Sequence, residues 1–278
     1  MPELPEVRAL SERLGSALVG QRLTRFALLG FWSLKTVTPA PSQLEGGTLE
    51  SADSRGKFLS LRFGARGVAL VHLGQAGRVD LERPAKGTRP RGSLVRLEFE
   101  DAGVLVREHG TERRAGIWIL GAGDPGPTAE LGPEPFDEGF SELILAGDDA
   151  RRLSTMLRDQ HTVAGIGRGY ADDILHRARL SPFGSLSRLS PDDRTRLLEA
   201  TRSILDEALD RERARSGGLS ESSLGDRFVV HRRAGAACPA CADTLRRVSF
   251  EDYELVYCAT CQTHGKVLAD RRLSRLLR

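Results

Sequence analysis

The spacing of hydrophobic and polar positions changes along the chain and divides it into segments of different predicted structure. Apolar residues between 5 and 18 recur at helical intervals, and Gly20 ends the run. From about 22 to 120 the pattern shifts to short alternating runs separated by Gly, Asp and Pro, which predict strands. The clearest runs are 57–63, 68–74, 93–101, 103–110 and 115–121. The first part of the chain is therefore predicted to be one helix followed by a β-sandwich or barrel.

Helical periodicity returns after a stretch rich in Gly and Pro at 122–135, which is predicted to be a linker. Ser190 and Pro191 open the longest helical segment, because this pair favours a helix start. A flexible loop is expected at 215–225, where Gly and Ser are frequent. The predicted helical segments are 140–147, 150–159, 170–180 and 190–218.

Composition and charge narrow the class of protein. The chain has 278 residues, 40% of them hydrophobic, and 41 Lys and Arg against 38 Asp and Glu. A net charge of only +3 can still hide a basic face. No run of 18 apolar residues exists and the N-terminus lacks a signal pattern, so a soluble, cytoplasmic, nucleoid-associated protein is expected.

The cysteines are confined to the C-terminal part of the chain. Cys238 and Cys241 form one C-x-x-C pair, and Cys258 and Cys261 form a second. Two such pairs at this separation are typical of a structural zinc site with four thiolates, with a β-hairpin at 245–257 between them. The alternative is a pair of disulfides or unused thiols, which fits a chain without a secretion signal less well.

A glycine-rich turn at 165–169 separates two predicted helices, the second starting at Tyr170. Glycines allow close approach to a bulky partner, and the N–H groups at a helix start favour an anion. Arg168 adds a cation, so a DNA phosphate is the natural ligand. An ordinary helix–helix turn explains the same pattern equally well.

Together these motifs resemble the formamidopyrimidine-DNA glycosylase/endonuclease VIII family, and the formamidopyrimidine branch more closely. The resemblance runs almost from end to end. The matching segments are PELPEV at 2–7, GKFLSL at 56–61, HLGQAG at 72–77, ERRAGIW at 112–118, LGPEPF at 131–136, the helix–two-turn–helix element at 163–173 and the zinc finger.

The resemblance assigns catalysis to the N-terminus. With Met1 removed, the secondary amine of Pro2 would attack C1′ of a damaged nucleotide, because an α-amino group with a pKa near 8 is partly neutral at pH 7. Glu3 would transfer protons to the opening sugar, and Glu6 would either orient this end of the chain or manage protons. Lys57 matches the family lysine that contacts phosphate and lesion. A well-capped helix alone would explain Pro5 and Glu6 but not Pro2 and Glu3.

The resemblance also implies DNA contacts. The expected DNA-binding residues are His72, Gln75, Arg113, Arg114, Gly167, Arg168, Tyr170, Arg246 and Arg247. Of the three side chains that fill the gap left by a flipped base in the family, Met, Arg and Phe, only the arginine remains, as Arg113. Gln75 and Ala115 replace the other two, and Ala115 removes an aromatic stack.

Further departures lie in the second half of the chain. Arg168 replaces an asparagine that grips phosphate, and Tyr253, among acidic neighbours, replaces an arginine of the zinc-finger hairpin. The loop at 216–224 is shorter than the family loop that caps 8-oxoguanine. The tail beyond Cys261 carries Lys266, Arg271, Arg272, Arg275 and Arg278. It is either a basic helix for DNA or a solvated tail.

The fold class expected is α+β multidomain: an N-terminal helix with a β-sandwich, a helix–two-turn–helix domain and a zinc-finger hairpin. The expected division is a catalytic domain at 1–121, the linker at 122–135, the helical domain at 136–234, the zinc finger at 235–264 and the tail at 265–278. The expected function is a bifunctional DNA glycosylase and AP lyase of base-excision repair. It would act as a monomer on double-stranded DNA with damaged bases or abasic sites, and hold one structural Zn²⁺. The alternative is a DNA-binding protein that keeps the scaffold and has lost base excision.

Overall fold

A computed structural model describes residues 1–219, 227–250 and 253–269. The helices are α1 (Leu4–Leu18), α2 (Glu138–Ala146), α3 (Leu153–Met156), α4 (Arg168–Arg177), α5 (Pro191–Arg213) and α6 (Ala259–Thr263). The strands are β1 (Leu23–Leu28), β2 (Ser51–Arg55), β3 (Phe58–Arg62), β4 (Val68–His72), β5 (Gly77–Glu82), β6 (Ser93–Phe99), β7 (Gly103–Glu108), β8 (Gly116–Leu120), β9 (Leu245–Ser249) and β10 (Glu254–Cys258). Contacts between residues group the chain into two compact units.

The first unit, Met1–Glu130 with Ala208–Asp226, holds α1 and a β-sandwich. One sheet has the strand order β1-β6-β7-β5 and the other β2-β3-β4-β8, with antiparallel pairing throughout. Apolar side chains of both sheets and of α1 form one buried core, which includes Leu10, Leu59, Val104 and Ile117. The alternating strand pattern requires this arrangement, since each sheet buries one face against the other. The predicted helix and sandwich are confirmed.

The second unit, Leu131–Glu207 with Arg227–Arg278, holds the helices and the cysteine hairpin. Strands β9 and β10 pair antiparallel, with Val248 opposite Leu255 and Arg246 opposite Tyr257. This confirms the predicted hairpin, whose tip at 251–252 lies outside the described residues. Among the helices that are described, none has the length and apolarity needed to cross a membrane.

Helices α3, α4 and α5 show the main differences from the predicted helix boundaries. Helix α4 begins at Arg168, not Tyr170, because Gly167 serves as the N-cap with an extended backbone. The helix predicted over 150–159 is reduced to the single turn of α3, and α5 ends at Arg213 rather than near 217. Of the loop predicted at 215–225, Leu219 is buried and pairs with Val79, while 220–225 lie outside the described residues.

Candidate active site and nucleic-acid interface

The start of α1 is buried together with the residues that precede it. Glu6 is fully buried and Glu3 is 3% exposed, and Pro2 is buried as well. The Glu3 backbone N–H donates to Oε2 of Glu6 at 2.7 Å, and the Glu3 carbonyl accepts the first helical bond from Val7 at 3.1 Å. Glu6 therefore fixes Glu3 in an extended conformation at the helix N-cap, directly after Pro2 in the chain.

Lys57 and His72 lie close together beside the strands on which α1 rests. Lys57 is 6% exposed in the tight turn between β2 and β3, the two strands against which α1 packs. His72 pairs with Phe58 across β3 and β4, with 4.9 Å between their ring centroids. Burial, followed by the charge of Lys57, lowers the pKa of His72 to about 4. The imidazole is therefore neutral at pH 7, and its Nδ1 accepts the Gly74 N–H at 3.3 Å.

Two loops that carry predicted DNA contacts meet at Gly74. Gln75 is exposed between β4 and β5, and Arg113 and Arg114 are exposed in the loop between β7 and β8. A Cβ atom on Gly74 would lie 2.8 Å from the carbonyl carbon of Arg114 and 2.9 Å from the nitrogen of Ala115. Such contacts are too short for any side chain, so only glycine lets the backbones approach this closely. The structure thus brings Gln75 and Arg113 onto adjoining loops, while Ala115 is fully buried beneath them.

Glu108 holds the second of these loops, a role that the sequence did not reveal. Its buried Oε1 accepts the backbone N–H groups of Arg114 at 2.8 Å and Ala115 at 3.2 Å. The preceding residue, Arg113, adopts a left-handed backbone with φ of 50°, and its guanidinium lies 5.8 Å from the ring of Trp32. The sequence feature that could have indicated this role is a carboxylate at a buried position, at the end of the apolar strand β7.

In the second unit, Tyr253 lies between two arginines. The guanidinium of Arg158 lies 4.4 Å from its ring and that of Arg168 lies 4.8 Å away. Arg158 also donates to the Tyr253 hydroxyl at 3.2 Å, and Phe250 stacks on the ring at 4.4 Å. Tyr253, which stands where the resemblance leads one to expect an arginine, therefore makes cation–π contacts with two arginines of the helical part of the same unit.

Tyr170, which is a predicted DNA contact, is a buried residue of α4. Its side chain is 1% exposed and packs edge-on against Phe228, with 5.2 Å between ring centroids. A Cβ atom on Gly169 would lie 2.0 Å from that same ring, so the glycine makes room for Phe228. Gly167 is buried at the helix cap. The burial gives Tyr170 a packing contact, whereas Arg168 beside it remains partly exposed.

Two buried carboxylates on α4 organise the segment that leads into the cysteine hairpin. Asp173 accepts the backbone N–H groups of Val229, Val230 and His231 at 2.7, 2.8 and 3.2 Å. Asp172 accepts from Nδ1 of His231 at 2.6 Å and from the N–H of Val256 at 3.1 Å. Burial raises the pKa of Asp172 to about 6, against the opposing effect of His231. Sequence reasoning missed both residues.

The four cysteines form a cluster with the dimensions of a metal site. Their sulfur atoms all lie within 4.8 Å of one another, with 3.9 Å between Cys238 and Cys261 and 3.5 Å between Cys241 and Cys258. A tetrahedral zinc with Zn–S bonds of about 2.3 Å separates its sulfurs by about 3.8 Å, so the donor set fits this ion. Nε2 of the buried His176 lies 3.1 Å from the Cys238 sulfur.

The remaining predicted DNA contacts lie on the hairpin and in the tail. Arg246 and Arg247 are exposed on β9, and Arg247 lies 3.4 Å from Glu254 on the paired strand. Lys266 is exposed after α6. The predicted basic residues Arg271, Arg272, Arg275 and Arg278 lie outside the described residues.

An N-terminal helix on a β-sandwich, a helix–two-turn–helix element and a four-cysteine hairpin define the structural class of the formamidopyrimidine-DNA glycosylases. The family model for the formamidopyrimidine-DNA glycosylase N-terminal domain matches residues 1–118, and that for the H2TH domain of the same enzymes matches 131–218. The formamidopyrimidine-DNA glycosylase of Symbiobacterium thermophilum is 33% identical over 287 residues, which cover 98% of this chain and 93% of the relative. The chain therefore belongs to the formamidopyrimidine-DNA glycosylase family.

Two further comparisons give one similar sequence and one similar fold. An uncharacterized formamidopyrimidine-DNA glycosylase-like protein of Mycobacterium tuberculosis is 45% identical over 159 residues, which cover 56% of this chain and 99% of the relative. The crystal structure of Lactococcus lactis Fpg (MutM) in complex with N7-benzyl-Fapy-dG-containing DNA superimposes with a TM-score of 0.82. It covers 94% of this chain and 100% of that chain at 23% identity, and so supports the fold.

Proposed function

We propose that this protein is a DNA glycosylase of base-excision repair that also cleaves abasic sites, with the amine of Pro2, freed by removal of Met1, as its nucleophile. The observation that carries the proposal is the buried start of α1, where Glu6 holds Glu3 in place next to Pro2. Two carboxylates buried at a chain terminus are costly for folding alone. Their presence is explained if Pro2 is the reacting amine, Glu3 is the proton carrier, and Glu6 holds Glu3 in position.

In the proposed reaction, the Pro2 nitrogen forms a bond to C1′ as the bond from C1′ to the base breaks. The base leaves with the bonding electrons and takes up the proton that the Pro2 nitrogen loses. Glu3 then protonates the sugar ring oxygen, the ring opens, and an iminium forms between the Pro2 nitrogen and C1′. Because this nitrogen is secondary, the iminium is charged without a further proton. It therefore accepts electrons as a proton leaves C2′ and the 3′ phosphate departs, after which a second elimination releases the 5′ phosphate.

Lys57 and His72 suit a phosphate-binding role beside this centre. The charge of Lys57 is held at a largely buried position, where an electrostatic contact is stronger than in water. His72 is kept neutral there, so its ring does not add a second positive charge. Its neutral imidazole and the exposed Gln75 and Arg113 can contact DNA through hydrogen bonds and charge.

Duplex DNA with a damaged or missing base is the proposed partner. The structural neighbour from L. lactis was crystallised with DNA that contains a modified formamidopyrimidine lesion. In this chain, Arg158 and Arg168 around Tyr253, together with Arg246 and Arg247 on β9, offer cations for the phosphate backbone. Replacing Arg168 with Ala is expected to lower the slope of log binding constant against log salt by about one.

The buried Ala115 and exposed Gln75 change the surface that would face the flipped nucleotide. We therefore propose oxidised pyrimidines, hydantoins, ring-opened purines and abasic sites as substrates rather than 8-oxoguanine in particular. The 216–224 loop, which corresponds to the family loop that caps 8-oxoguanine, lies largely outside the described residues. A panel of duplexes with one lesion each, scored for strand cleavage, separates these substrates.

Zinc is the proposed metal of the cysteine cluster, held by Cys238, Cys241, Cys258 and Cys261. A closed site with four thiolates has no open coordination position, so the ion would stabilise the hairpin rather than take part in the reaction. His176 would donate a hydrogen bond to the Cys238 sulfur and so help to orient this ligand.

Borohydride trapping tests the proposed chemistry. The reagent reduces an iminium to a stable amine, so wild-type protein should form a covalent complex with an abasic duplex. Pro2→Gly should abolish or cripple trapping, and Glu3→Gln should slow base excision by at least about 100-fold. Glu12→Gln provides a matched control, since Glu12 lies on the exposed side of α1 in an ion pair with Arg213. If binding to the duplex is intact but no adduct forms, the protein is a DNA-binding relative without the proposed activity.

A further inference from the structure

Phe31 is the most exposed aromatic side chain among the large apolar residues of the described chain. The residue is 81% exposed and begins the short turn Phe31–Ser33 that follows β1. Single exposed apolar residues are ordinary on protein surfaces. This one stands out because of its neighbours, which are also aromatic or positively charged.

Backbone hydrogen bonds fix the position of this turn beside the loop that carries Arg113. Leu34 pairs in parallel with Ile117, and the Lys35 N–H donates to the Ile117 carbonyl at 2.8 Å. On its other side, the Gly30 N–H donates to the Leu94 carbonyl at 2.9 Å. Ile117 follows Ala115 by two residues, so the turn lies against the strand that begins where that loop ends.

Trp32, the second residue of the turn, lies near two positively charged side chains. Its ring lies 5.8 Å from the guanidinium of Arg113 and 5.9 Å from Nζ of Lys35. Phe31 is therefore followed in the chain by a tryptophan whose ring has two positive charges nearby. This combination matches DNA, in which flat apolar bases alternate with anionic phosphates.

We propose that Phe31 stacks on an unpaired base of damaged DNA, with Trp32 next to it in the chain and the cations Arg113 and Lys35 beside the Trp32 ring. The ring takes the place of the aromatic contact that Ala115 cannot make, because Ala115 is fully buried and has no ring. The inference deepens the proposed function, since it rests on DNA as the ligand, and it assigns the stacking contact to the turn after β1.

The test compares binding of wild type, Phe31→Ala and Val37→Ala to two duplexes. One carries a tetrahydrofuran abasic analogue that the enzyme cannot process, with 2-aminopurine opposite it, and the other is undamaged. Val37 is a matched control because it is 92% exposed, lies nearby in the chain and has no ring. Fluorescence anisotropy gives the dissociation constant, and 2-aminopurine emission reports stacking.

Phe31→Ala is expected to raise the dissociation constant for the abasic duplex roughly tenfold, as loss of one stacked base predicts. It should also restore 2-aminopurine emission that wild type quenches, while Phe31→Tyr retains both properties. Val37→Ala should behave as wild type. Equal binding and equal quenching by Phe31→Ala and wild type would overturn the proposal. Failed borohydride trapping with intact quenching would instead reject the proposed catalysis and leave the stacking contact standing.

Discussion

His72 should make the stability of the β-sandwich depend on pH. Its pKa in the folded protein is about 4, lowered from 6.5 by burial and by the charge of Lys57. In the unfolded chain the imidazole regains a pKa near 6.5. The unfolded state therefore binds the proton more readily. The stability that depends on neutral His72 is complete above pH 6.5 and is lost as the pH falls towards 4.

The two pKa values set the size of this effect. Between pH 7.5 and pH 5.0, the free energy of unfolding should fall by about 2 kcal/mol through His72 alone. Below pH 4 the full loss is about 3 kcal/mol, since each pKa unit corresponds to about 1.4 kcal/mol. The variant His72→Asn should remove this part of the pH dependence. Asparagine can still accept the Gly74 N–H but does not titrate.

Urea unfolding followed by tryptophan fluorescence measures the free energy of unfolding of the first structural unit, which contains His72. The chain has 2 tryptophans, Trp32 and Trp118, and both belong to the first unit. Wild type should lose about 2 kcal/mol more than His72→Asn between pH 7.5 and pH 5.0. The exposed His109, changed to Asn, is the control and should keep the wild-type difference. Equal losses in wild type and His72→Asn would refute the reasoning.

Three further predictions concern residues that the structure shows in positioning roles. Glu108→Ala should lower the stability of the first unit by roughly 3 kcal/mol in urea unfolding, because two backbone N–H groups lose a charged acceptor; Glu108→Gln should lose less. Asp173→Ala should speed hydrogen exchange at the amides of 229–231 by at least about tenfold, with Asp173→Asn intermediate, because the carboxylate accepts all three. His176→Phe should speed zinc release to a chromogenic chelator by about tenfold or more, while His161→Phe, an exposed control, should not.

Each of these predictions has a result that would contradict it. If Glu108→Ala unfolds at the wild-type urea concentration, the loop is held by other contacts. Unchanged exchange at 229–231 in the Asp173 variants would show that these amides are protected without the carboxylate. Zinc release from His176→Phe at the wild-type rate would mean that the histidine does not support the Cys238 ligand.

The main elements of the fold could be predicted from the sequence because their apolar spacing is regular. Helix α1 was found from its apolar face, and β3, β4, β6, β7 and β8 from alternation. For α4 the sequence predicts a start at Tyr170, which is too late, because the glycines before it indicate a turn. Gly169 is in fact helical, and it is small because Phe228 fills the space beside it.

The cysteine cluster was predictable because its spacing in the chain fixes its chemistry. The positioning carboxylates were not, since their partners are distant in sequence. Asp173 bonds to amides 56–58 residues later, and Asp172 to an amide 84 residues later. The aromatic turn at Phe31 was also missed, because its meaning depends on Arg113, which only tertiary structure brings to Trp32.

Peptide mapping of the trapped complex tests the central claim most directly. The covalent complex of wild-type protein with an abasic duplex is reduced with borohydride, digested with nuclease and protease, and analysed by mass spectrometry. The claim predicts one peptide with the mass of a reduced sugar fragment attached to its N-terminal Pro2. An adduct on a lysine such as Lys57, with Pro2 unmodified, would contradict it.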